Sequence, residues 1–225
     1  MHHDDSAWPL RTNGCCTQDK ISEDTGDGEL GEARMIFPSL ALFSHSCSPN
    51  TQCLHQPHYG IAISSTKPIT KGEEISITYT NLLGSSVARR SDIQKNWFFD
   101  CQCARCLSLD DFGANTDSWK CDDSSCEGWV RPEEERWRCC DCGAETKPSV
   151  MSNREQILEE KLKNISSNTE AECSIQNIRS FMKEQQIYLH HNHWIMTLAR
   201  ISLVNKDIQN GNDEVASELI IENCK

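Results

Sequence analysis

Cysteines crowd into one short part of the chain, and their spacing constrains the fold more than any other feature. Eight of the fourteen cysteines lie in the segments CQCARC (101–106), CDDSSC (121–126) and CCDC (139–142). Two cysteines separated by two residues reach one ion from a tight turn, and a structural zinc ion takes four such ligands in a tetrahedron. The spacing therefore predicts two small zinc modules, which gain folding free energy from the metal because few apolar residues surround them.

One of the two predicted sites is complete within its own stretch of sequence. Cys121 and Cys126 form a C-x4-C pair, and Cys139 and Cys142 form a C-x2-C pair. Together they predict a four-cysteine zinc ribbon. Cys140 would need a tighter turn to share an ion with Cys142, so we predict that Cys140 is a spare small hydrophobe.

The other predicted site is one ligand short. Cys101, Cys103 and Cys106 supply three sulfurs, and a closed structural site needs a fourth ligand from elsewhere. Cys47, in the decapeptide ALFSHSCSPN, is the leading candidate. Cys53, six residues beyond Cys47 in a predicted strand, is its main competitor.

Composition and charge indicate the compartment of the chain and the class of its partner. The N-terminal MHHDDSAWPLRTNG lacks the apolar core of a secretory signal, and no run of about 18 apolar residues exists to span a bilayer. A reducing compartment then favours zinc ligands over disulfides. The formal charge of −12 argues against binding to nucleic-acid phosphates and favours a basic peptide or protein as partner.

Hydrophobic patterns predict strands first and helices later. RMIFPSL (34–40), YGIAISSTKPI (59–69) and ISITY (75–79) are typical of short strands, and SVARRSDIQKN (86–96) of an amphipathic helix leading to the zinc cysteines.

After Pro148 three periodic stretches predict helices: REQILEEKLKNI, IQNIRSFMKEQQIYL and WIMTLARISLVNKDI. The first places Ile157, Leu158, Leu162 and Ile165 on one stripe. We interpret the nearby histidines 190, 191 and 193 as a turn and helix start, with Asn192 as N-cap and no partner carboxylate.

Several of these motifs, taken in order, resemble a known family. HSCSPN, KGEEISITY, the basic helix and CQCARC are similar to the C-terminal half of a SET domain with its post-SET zinc motif. The tail, with YLHHNHWIMTLAR, resembles the SET-and-MYND (SMYD-type) lysine methyltransferases, in particular divergent arthropod members. The resemblance implies an α+β fold: the C-terminal part of a SET β-fold (1–100), the post-SET motif with a zinc ribbon (101–148), and an α-helical, tetratricopeptide-like tail (149–225).

The resemblance also implies roles for individual residues. Cys47 falls where the family supplies the fourth zinc ligand, and Tyr79 matches the active-site tyrosine. The resemblance thus completes one zinc site with Cys47, Cys101, Cys103 and Cys106. The other predicted site, with Cys121, Cys126, Cys139 and Cys142, rests on spacing alone. The residues implied to contact the cofactor S-adenosylmethionine are Asn13, Ala41, Leu42, Phe43, Ser44, His45, Tyr79, Trp97 and Phe99.

Methyl transfer to lysine gives these residue types a physical purpose. A lysine ε-amine, with an ordinary pKa of about 10.4, must lose its proton before it attacks, and a dehydrated aromatic channel favours the neutral amine. Aromatic faces also attract the sulfonium of the cofactor. The hydroxyl of Tyr79 would orient the amine in line with the methyl group.

Three departures from the family pattern shape our expectations. Ser44 stands where the family has asparagine, which should weaken cofactor binding, and Trp97 stands where a tyrosine is usual. No Gly-x-Gly cofactor loop or MYND zinc finger is matched. We therefore expect either a part of a longer enzyme or a degenerate paralogue, and no activity from the chain alone.

The sequence thus supports two functions. The first is a monomeric SET-domain protein-lysine N-methyltransferase of cytoplasm and nucleus. It would use S-adenosylmethionine on a histone tail or another protein substrate, contribute to transcriptional and chromatin regulation, and contact neither nucleic acid nor membrane. The alternative is a catalytically inactive SET relic that acts as a zinc-bearing protein-interaction module.

Overall fold

The computed structural model describes residues 19–21, 31–33, 36–56, 60–133, 136–167 and 171–211. The chain divides into two compact units. Unit 1 comprises Met1–Leu82 and Arg89–Arg105, and unit 2 comprises Leu83–Ala88 and Cys106–Lys225. The mixed α+β class predicted from the sequence is confirmed, whereas the three domain boundaries stay a prediction.

Unit 1 is built from short paired strands. They are β1 (Asp19–Ile21), β2 (Gly31–Ala33), β3 (Ser44–His45), β4 (Thr51–Gln56), β5 (Gly60–Ser65) and β6 (Ser76–Ile77). β1 pairs with β2 and β4 with β5 in antiparallel fashion, whereas β3 and β6 are parallel, with His45 opposite Ile77. The predicted strands YGIAISSTKPI and ISITY are thus found as the shorter β5 and β6, and the parallel pair brings His45 beside the strand that leads to Tyr79.

The predicted strand RMIFPSL is wrong over its described residues, 36–40. A turn at Pro38 and Ser39 leads into a 3-10 helix at Leu40–Leu42. The amide of Leu40 donates to the carbonyl of Phe37 at 2.9 Å. Proline has no N–H and a fixed φ, so Pro38 interrupts a strand ladder and instead favours this turn.

A helix carries the chain to the first zinc segment, as predicted. Helix α1 spans Ser86–Trp97 and buries Arg89 and Ile93. It ends because Phe98 adopts a left-handed φ of 60°, a conformation that costs a non-glycine residue about 1–2 kcal/mol. The chain then enters CQCARC, whose end forms the short helix α2 (Ala104–Leu107).

Unit 2 begins with a small antiparallel sheet in the order β10-β9-β8-β7. Its strands are β7 (Trp119–Lys120), β8 (Trp129–Glu133), β9 (Arg136–Cys139) and β10 (Glu145–Thr146). Along β9 the side chains alternate, with Arg136 and Arg138 exposed and Trp137 and Cys139 buried. The period of two therefore places one predicted zinc ligand, Cys139, on the same face as the Trp137 core side chain.

Three helices follow in the described part of unit 2 and confirm the helical predictions: α3 (Pro148–Ser166), α4 (Ala171–Gln185) and α5 (Trp194–Gln209). On the predicted stripe of α3, Leu162 is buried, Leu158 and Ile165 pack against the core, and Ile157 is exposed. None of the described helices is long and apolar enough to cross a membrane.

Sheet and helices of unit 2 share one hydrophobic core. Its buried members include Trp119, Cys121, Val130, Trp137, Cys139, Met151, Leu162, Ile178, Phe181, Leu189, Ile195, Ala199 and Leu203. Two cysteines of the predicted ribbon site are thus core residues, so the geometry of that site depends on the packing of the helices.

Glu155, a carboxylate of α3 with 14% of its side chain exposed, lies near the start of α5. His193 caps the helix, because its Nδ1 accepts the amide of Ile195 at 3.2 Å, so the predicted cap at Asn192 is wrong. A carboxylate is also present, since Oε1 of Glu155 lies 3.8 Å from His193 Nε2 and accepts the indole N–H of Trp194 at 3.2 Å. Burial, with the charges of Asp117 and Glu159 adding to it, raises the pKa of Glu155 to about 7, and burial lowers the pKa of His193 to about 3.

These shifts predict how the Glu155→Gln variant responds to pH. Because the pKa of the Glu155 carboxyl is higher in the folded than in the unfolded chain, its protonation stabilises the fold. This stabilisation is complete below the carboxyl pKa of the unfolded chain and is lost as the pH rises through about 7. The amide of Gln stays neutral and still accepts from Trp194. The gain in unfolding free energy from Glu155→Gln should therefore grow by about 2 kcal/mol between pH 5.5 and 8.

Urea unfolding followed by tryptophan fluorescence measures this difference. His193, whose lowered pKa acts in the opposite direction, is present in both proteins and cancels in the comparison. The exposed Glu160 on the same helix provides the control, since Glu160→Gln leaves the Glu155 carboxyl in place and should show a smaller dependence on pH. A difference between Glu155→Gln and the unsubstituted chain that is constant with pH would contradict the assignment.

Candidate functional site

The sulfurs of the first predicted zinc set lie together. The Sγ atoms of Cys47, Cys101, Cys103 and Cys106 are all within 4.8 Å of one another. Zinc–sulfur bonds of about 2.3 Å in a tetrahedron place sulfurs about 3.8 Å apart, so the set fits a zinc ion. Cys53, the competing candidate, lies on β4 opposite Ile63 and is not part of the set.

Hydrogen bonds hold the Cys47 loop against the CQCARC segment. The amide of Cys47 donates to Cys103 Sγ at 3.4 Å. Arg105 Nη1 donates to the carbonyls of Cys47 at 3.0 Å and Leu82 at 3.2 Å. An amide donor to sulfur favours the thiolate form that zinc binds, because it stabilises the negative charge.

Asn50 is a functional residue that the sequence interpretation missed. Its buried side chain accepts the amide of Ser76 at 2.9 Å and donates to the carbonyl of Glu74 at 2.8 Å and to the carboxylate of Glu73 at 3.1 Å. It thereby fixes the SCSPN loop to the edge of β6. The tripeptide SPN was a visible turn signal, but a turn signal does not identify a partner 26 residues away.

The second predicted set is also assembled. The Sγ atoms of Cys121, Cys126, Cys139 and Cys142 lie within 4.8 Å of one another. The distances from Cys121 to Cys142 and from Cys126 to Cys139 are both 3.6 Å. These values match the edge of a zinc tetrahedron, at about 3.8 Å, and are far longer than a disulfide bond of about 2.05 Å.

Local groups favour a thiolate at Cys139 of this second set, whereas burial and the neighbouring cysteines raise the pKa of Cys121 and Cys126. Cys140 lies outside the set. Burial acts against ionisation, but hydrogen bonds from the backbone amides of Cys142 and Asp141 lower the pKa of Cys139 to about 7. Cys140 is exposed, and its thiol donates to the carboxylate of Asp141 at 3.1 Å. Its predicted place outside the ligand set agrees with this position, but the prediction of a small hydrophobe is wrong, because the thiol is exposed and hydrogen-bonded.

Gly128 makes the close approach at the second set possible. Its amide donates to Cys126 Sγ at 3.3 Å. A Cβ atom at this position would lie 2.7 Å from Cys139 Sγ and 2.8 Å from the side chain of Asp141. Only glycine leaves room here for the two knuckles to face one ion.

An aromatic cluster in unit 1 contains the predicted active-site residues. The rings of Tyr79 and Trp97 stack with centroids 4.3 Å apart, and His45 lies 5.3 Å from Tyr79 and 6.1 Å from Phe99. The hydroxyl of Tyr79 donates to the carbonyl of Phe43. Burial raises the pKa of Tyr79, so the hydroxyl is protonated at neutral pH.

His45 connects the aromatic cluster to the first cysteine set. Its Nδ1 accepts the backbone N–H of Tyr79 at 3.0 Å, and its Nε2 lies 3.3 Å from Cys47 Sγ. Burial lowers its pKa, and although Cys103 acts in the opposite direction, Arg89 lowers it further. The ring is therefore neutral at pH 7.

The remaining residues implied to contact the cofactor differ in their surroundings. Ala41 and Leu42 are exposed, Leu42 by 85% of its surface. Phe43 and Ser44 are half-buried, and the Ser44 hydroxyl donates to the carboxylate of Glu74. Asn13 lies outside the described residues. The structure thus joins residues 43–45 with Tyr79, Trp97 and Phe99, and cofactor contact by any of them stays a prediction.

A cavity of about 430 Å³ opens beside this cluster. Its lining includes His45 and Phe99 together with the acidic side chains of Glu73, Glu74 and Asp100. Asp100 forms a bidentate pair with Arg90, while Glu73 and Glu74 accept from Asn50 and Ser44. The lining also includes the ammonium of Lys67, so the cavity presents three carboxylates and one ammonium, a net negative charge, next to aromatic rings.

Comparison with known proteins confirms the resemblance to SMYD-type SET methyltransferases. Residues 7–80 match the family model described as SET domain. The chain is 28% identical over 163 residues to the SET domain-containing protein SmydA-8, isoform B, of Drosophila melanogaster, which covers 70% of this chain and 36% of that protein. It is 34% identical over 76 residues to the histone-lysine N-methyltransferase SMYD3 of Homo sapiens, covering 33% of this chain and 17% of that protein. The chain spans about a third or less of the length of these relatives.

Metal content tests the two cysteine sets. We expect two zinc ions per chain, and Cys47→Ser should lower the content to one, since it removes a ligand of the first set. Cys53→Ser and Cys140→Ser should leave the content at two, because neither sulfur belongs to a set. Mass spectrometry of the metal in purified chains measures these values. A content near one that Cys47→Ser does not change would contradict the first site.

Gly128→Ala tests the second set alone. The added methyl group would press on Cys139 Sγ, and relieving such a contact costs about 1–3 kcal/mol, so zinc should leave this set tenfold faster or more. A chelator that changes colour when it binds zinc measures the release of both ions. The kinetic phase that is missing in Cys47→Ser is the release of zinc from the first set. Acceleration confined to that first phase would contradict the prediction.

Proposed function

Because residues 7–80 match the SET domain, we propose that the protein acts in protein-lysine N-methylation, with S-adenosylmethionine as methyl donor and zinc as structural metal. One observation carries the proposal: Tyr79, Trp97, Phe99 and His45 form an aromatic cluster directly beside four sulfurs that fit a zinc ion. The zinc ions would hold the loops in place, since all eight ligands are protein sulfurs and no position is left for a substrate.

The aromatic cluster suits the methyl donor. S-adenosylmethionine, when bound, supplies a methyl group attached to a positively charged sulfur. The ring faces of Tyr79 and Trp97 attract such a cation, and residues 43–45 run beside them. The exposed Leu42 adds an apolar surface next to this segment.

Tyr79 would position the lysine amine. Its hydroxyl hydrogen is directed to the carbonyl of Phe43, so the hydroxyl oxygen still has a lone pair that can accept a hydrogen from a neutral amine. Its raised pKa keeps it protonated and uncharged. The aromatic surroundings favour loss of the proton from the lysine ammonium, because they solvate charge poorly.

Negative charge at the cavity indicates the class of substrate. Glu73, Glu74 and Asp100 line it, and the whole chain carries a formal charge of −12. A basic segment such as a histone tail would be attracted to this surface. We propose a histone or another basic protein as substrate, action as a monomer in nucleus and cytoplasm, and a role in transcriptional and chromatin regulation that does not require nucleic-acid binding.

The alternative function is a zinc-bearing protein-interaction module without catalysis. Two contacts favour it: Ser44, which replaces the expected asparagine, is engaged by Glu74, and the indole of Trp97 covers one face of Tyr79 at 4.3 Å. Both contacts occupy groups, the Ser44 hydroxyl and one face of the Tyr79 ring, that would otherwise be free to bind a cofactor or a lysine. In this case the acidic surface would bind a basic peptide without modifying it.

Tyr79→Phe distinguishes the two functions. Loss of the hydroxyl should lower the turnover of methyl transfer about 100-fold through misplacement of the amine, and should change cofactor affinity by less than threefold, because the rings keep their faces. The assay measures transfer from radiolabelled S-adenosylmethionine to histone peptides. It uses both the chain and a fusion that supplies the N-terminal portion of SmydA-8.

The exposed Tyr188 provides the matched control, and Tyr188→Phe should leave turnover unchanged. Equal loss of turnover and cofactor affinity in Tyr79→Phe would contradict a positioning role. Peptide binding without methyl transfer by chain and fusion alike would support the interaction module.

A further inference from the structure

The ring of His45 touches both the first cysteine set and the backbone of Tyr79, and nothing in the proposed chemistry requires this. We propose that His45 is a positioning residue that couples the first zinc site to Tyr79. It donates a hydrogen bond from Nε2 to Cys47 Sγ and accepts one at Nδ1 from the Tyr79 amide. The inference deepens the proposed function, since it concerns the residue that would orient the lysine amine.

The contacts determine which ring nitrogen carries the hydrogen. A backbone N–H can only donate, so Nδ1 of His45, 3.0 Å from the Tyr79 amide, must be an acceptor without a hydrogen. In a neutral imidazole the hydrogen is then on Nε2, which lies 3.3 Å from Cys47 Sγ. The Tyr79 amide thus selects the tautomer that donates to the sulfur.

Strand pairing sets this geometry and leaves little freedom in it. β3 and β6 are parallel, His45 lies opposite Ile77, and the amide of Ser46 donates to the Ile77 carbonyl at 3.0 Å. Two residues after Ile77, the Tyr79 amide therefore meets the ring of His45. A slip of one residue between the strands would break both ring contacts.

A donor to a metal-bound sulfur has a measurable effect. Partners that hydrogen-bond to the ligands of a metal typically change its affinity 10–100-fold when they are removed. By linkage, a metal that stabilises the His45 contact also stabilises the Tyr79 amide at the other side of the ring. Zinc at the first set would then restrain the backbone from which the Tyr79 hydroxyl projects.

Two substitutions separate the two contacts. In His45→Asn the side-chain oxygen can take the position of Nδ1 and accept from the Tyr79 amide, but no atom of the shorter side chain reaches Cys47. In His45→Gln the side-chain amide can take the position of Nε2 and donate to Cys47, but nothing accepts from Tyr79. Each variant is therefore the control for the other.

Two readouts report the contacts without any methyl transfer. Zinc release to a chelator, in the phase that Cys47→Ser removes, reports the Cys47 contact. Hydrogen exchange of tyrosine amides reports the other contact, and labelling with 15N-tyrosine is selective because the chain has only three tyrosines. The amide of Tyr188, bonded to the Gln185 carbonyl at 2.9 Å, is the internal reference.

We expect His45→Asn to speed zinc release from the first set about tenfold or more with exchange at Tyr79 nearly unchanged. His45→Gln should show the reverse: near-normal release, exchange at Tyr79 about tenfold faster, and Tyr188 unaffected. No change in release in His45→Asn, or no change in exchange at Tyr79 in His45→Gln, would overturn the two contacts. In the unsubstituted chain, removal of zinc should speed exchange at Tyr79 more than at Tyr188, and equal exchange at Tyr79 with and without zinc would overturn the coupling. These results hold or fail whether or not the protein transfers methyl groups.

A measurement on the unsubstituted chain covers the case in which a variant does not fold. Ring 15N spectra of the zinc-bound chain should show His45 with its hydrogen on Nε2. A hydrogen on Nδ1, or a Co²⁺ spectrum that shows a nitrogen ligand in the first set, would overturn the proposal.

Discussion

The meeting of Cys47 with the CQCARC segment is the contact on which unit 1 depends. Cys47 and Cys103 are 56 residues apart, yet the amide of one donates to the sulfur of the other. His45, at the end of β3 two residues before Cys47, reaches the Tyr79 amide, and Asn50, on the loop that bears Cys47, reaches β6. A zinc ion at this point would therefore hold together strands that bury few apolar side chains of their own.

The ribbon set of unit 2 differs, because two of its four cysteines belong to a substantial core. Cys121 and Cys139 are buried among the same residues as Trp137 and the helical side chains of α3 to α5. Asp122, next to Cys121, also forms a bidentate pair with Arg154 of α3. The ribbon is thus supported from the helices, whereas the first set is supported mainly by hydrogen bonds.

The sequence was sufficient wherever the relevant spacing was local. The ribbon set, three ligands of the first set, the helices and strands β5 and β6 follow from short motifs and periodicity. The distant fourth ligand, Cys47, was supported by the family resemblance, and the structure assembles both sets. It was insufficient where partners are distant: Asn50 bridging to β6, Glu155 approaching His193, and the double contact of His45. RMIFPSL failed for a local reason, since Pro38 outweighed the apolar side chains around it.

The long separation within the first set has a consequence for biosynthesis. The ribbon set spans 21 residues from Cys121 to Cys142, whereas 56 residues separate Cys47 from Cys103 in the first set. Closing the longer loop costs about 0.9 kcal/mol more in chain entropy. At about 5–20 residues per second, a ribosome completes Cys103 roughly 3–11 s after Cys47. During that interval the Cys47 thiol lacks its three partners, so the nascent chain depends on the reductants of its compartment to keep this sulfur competent for metal.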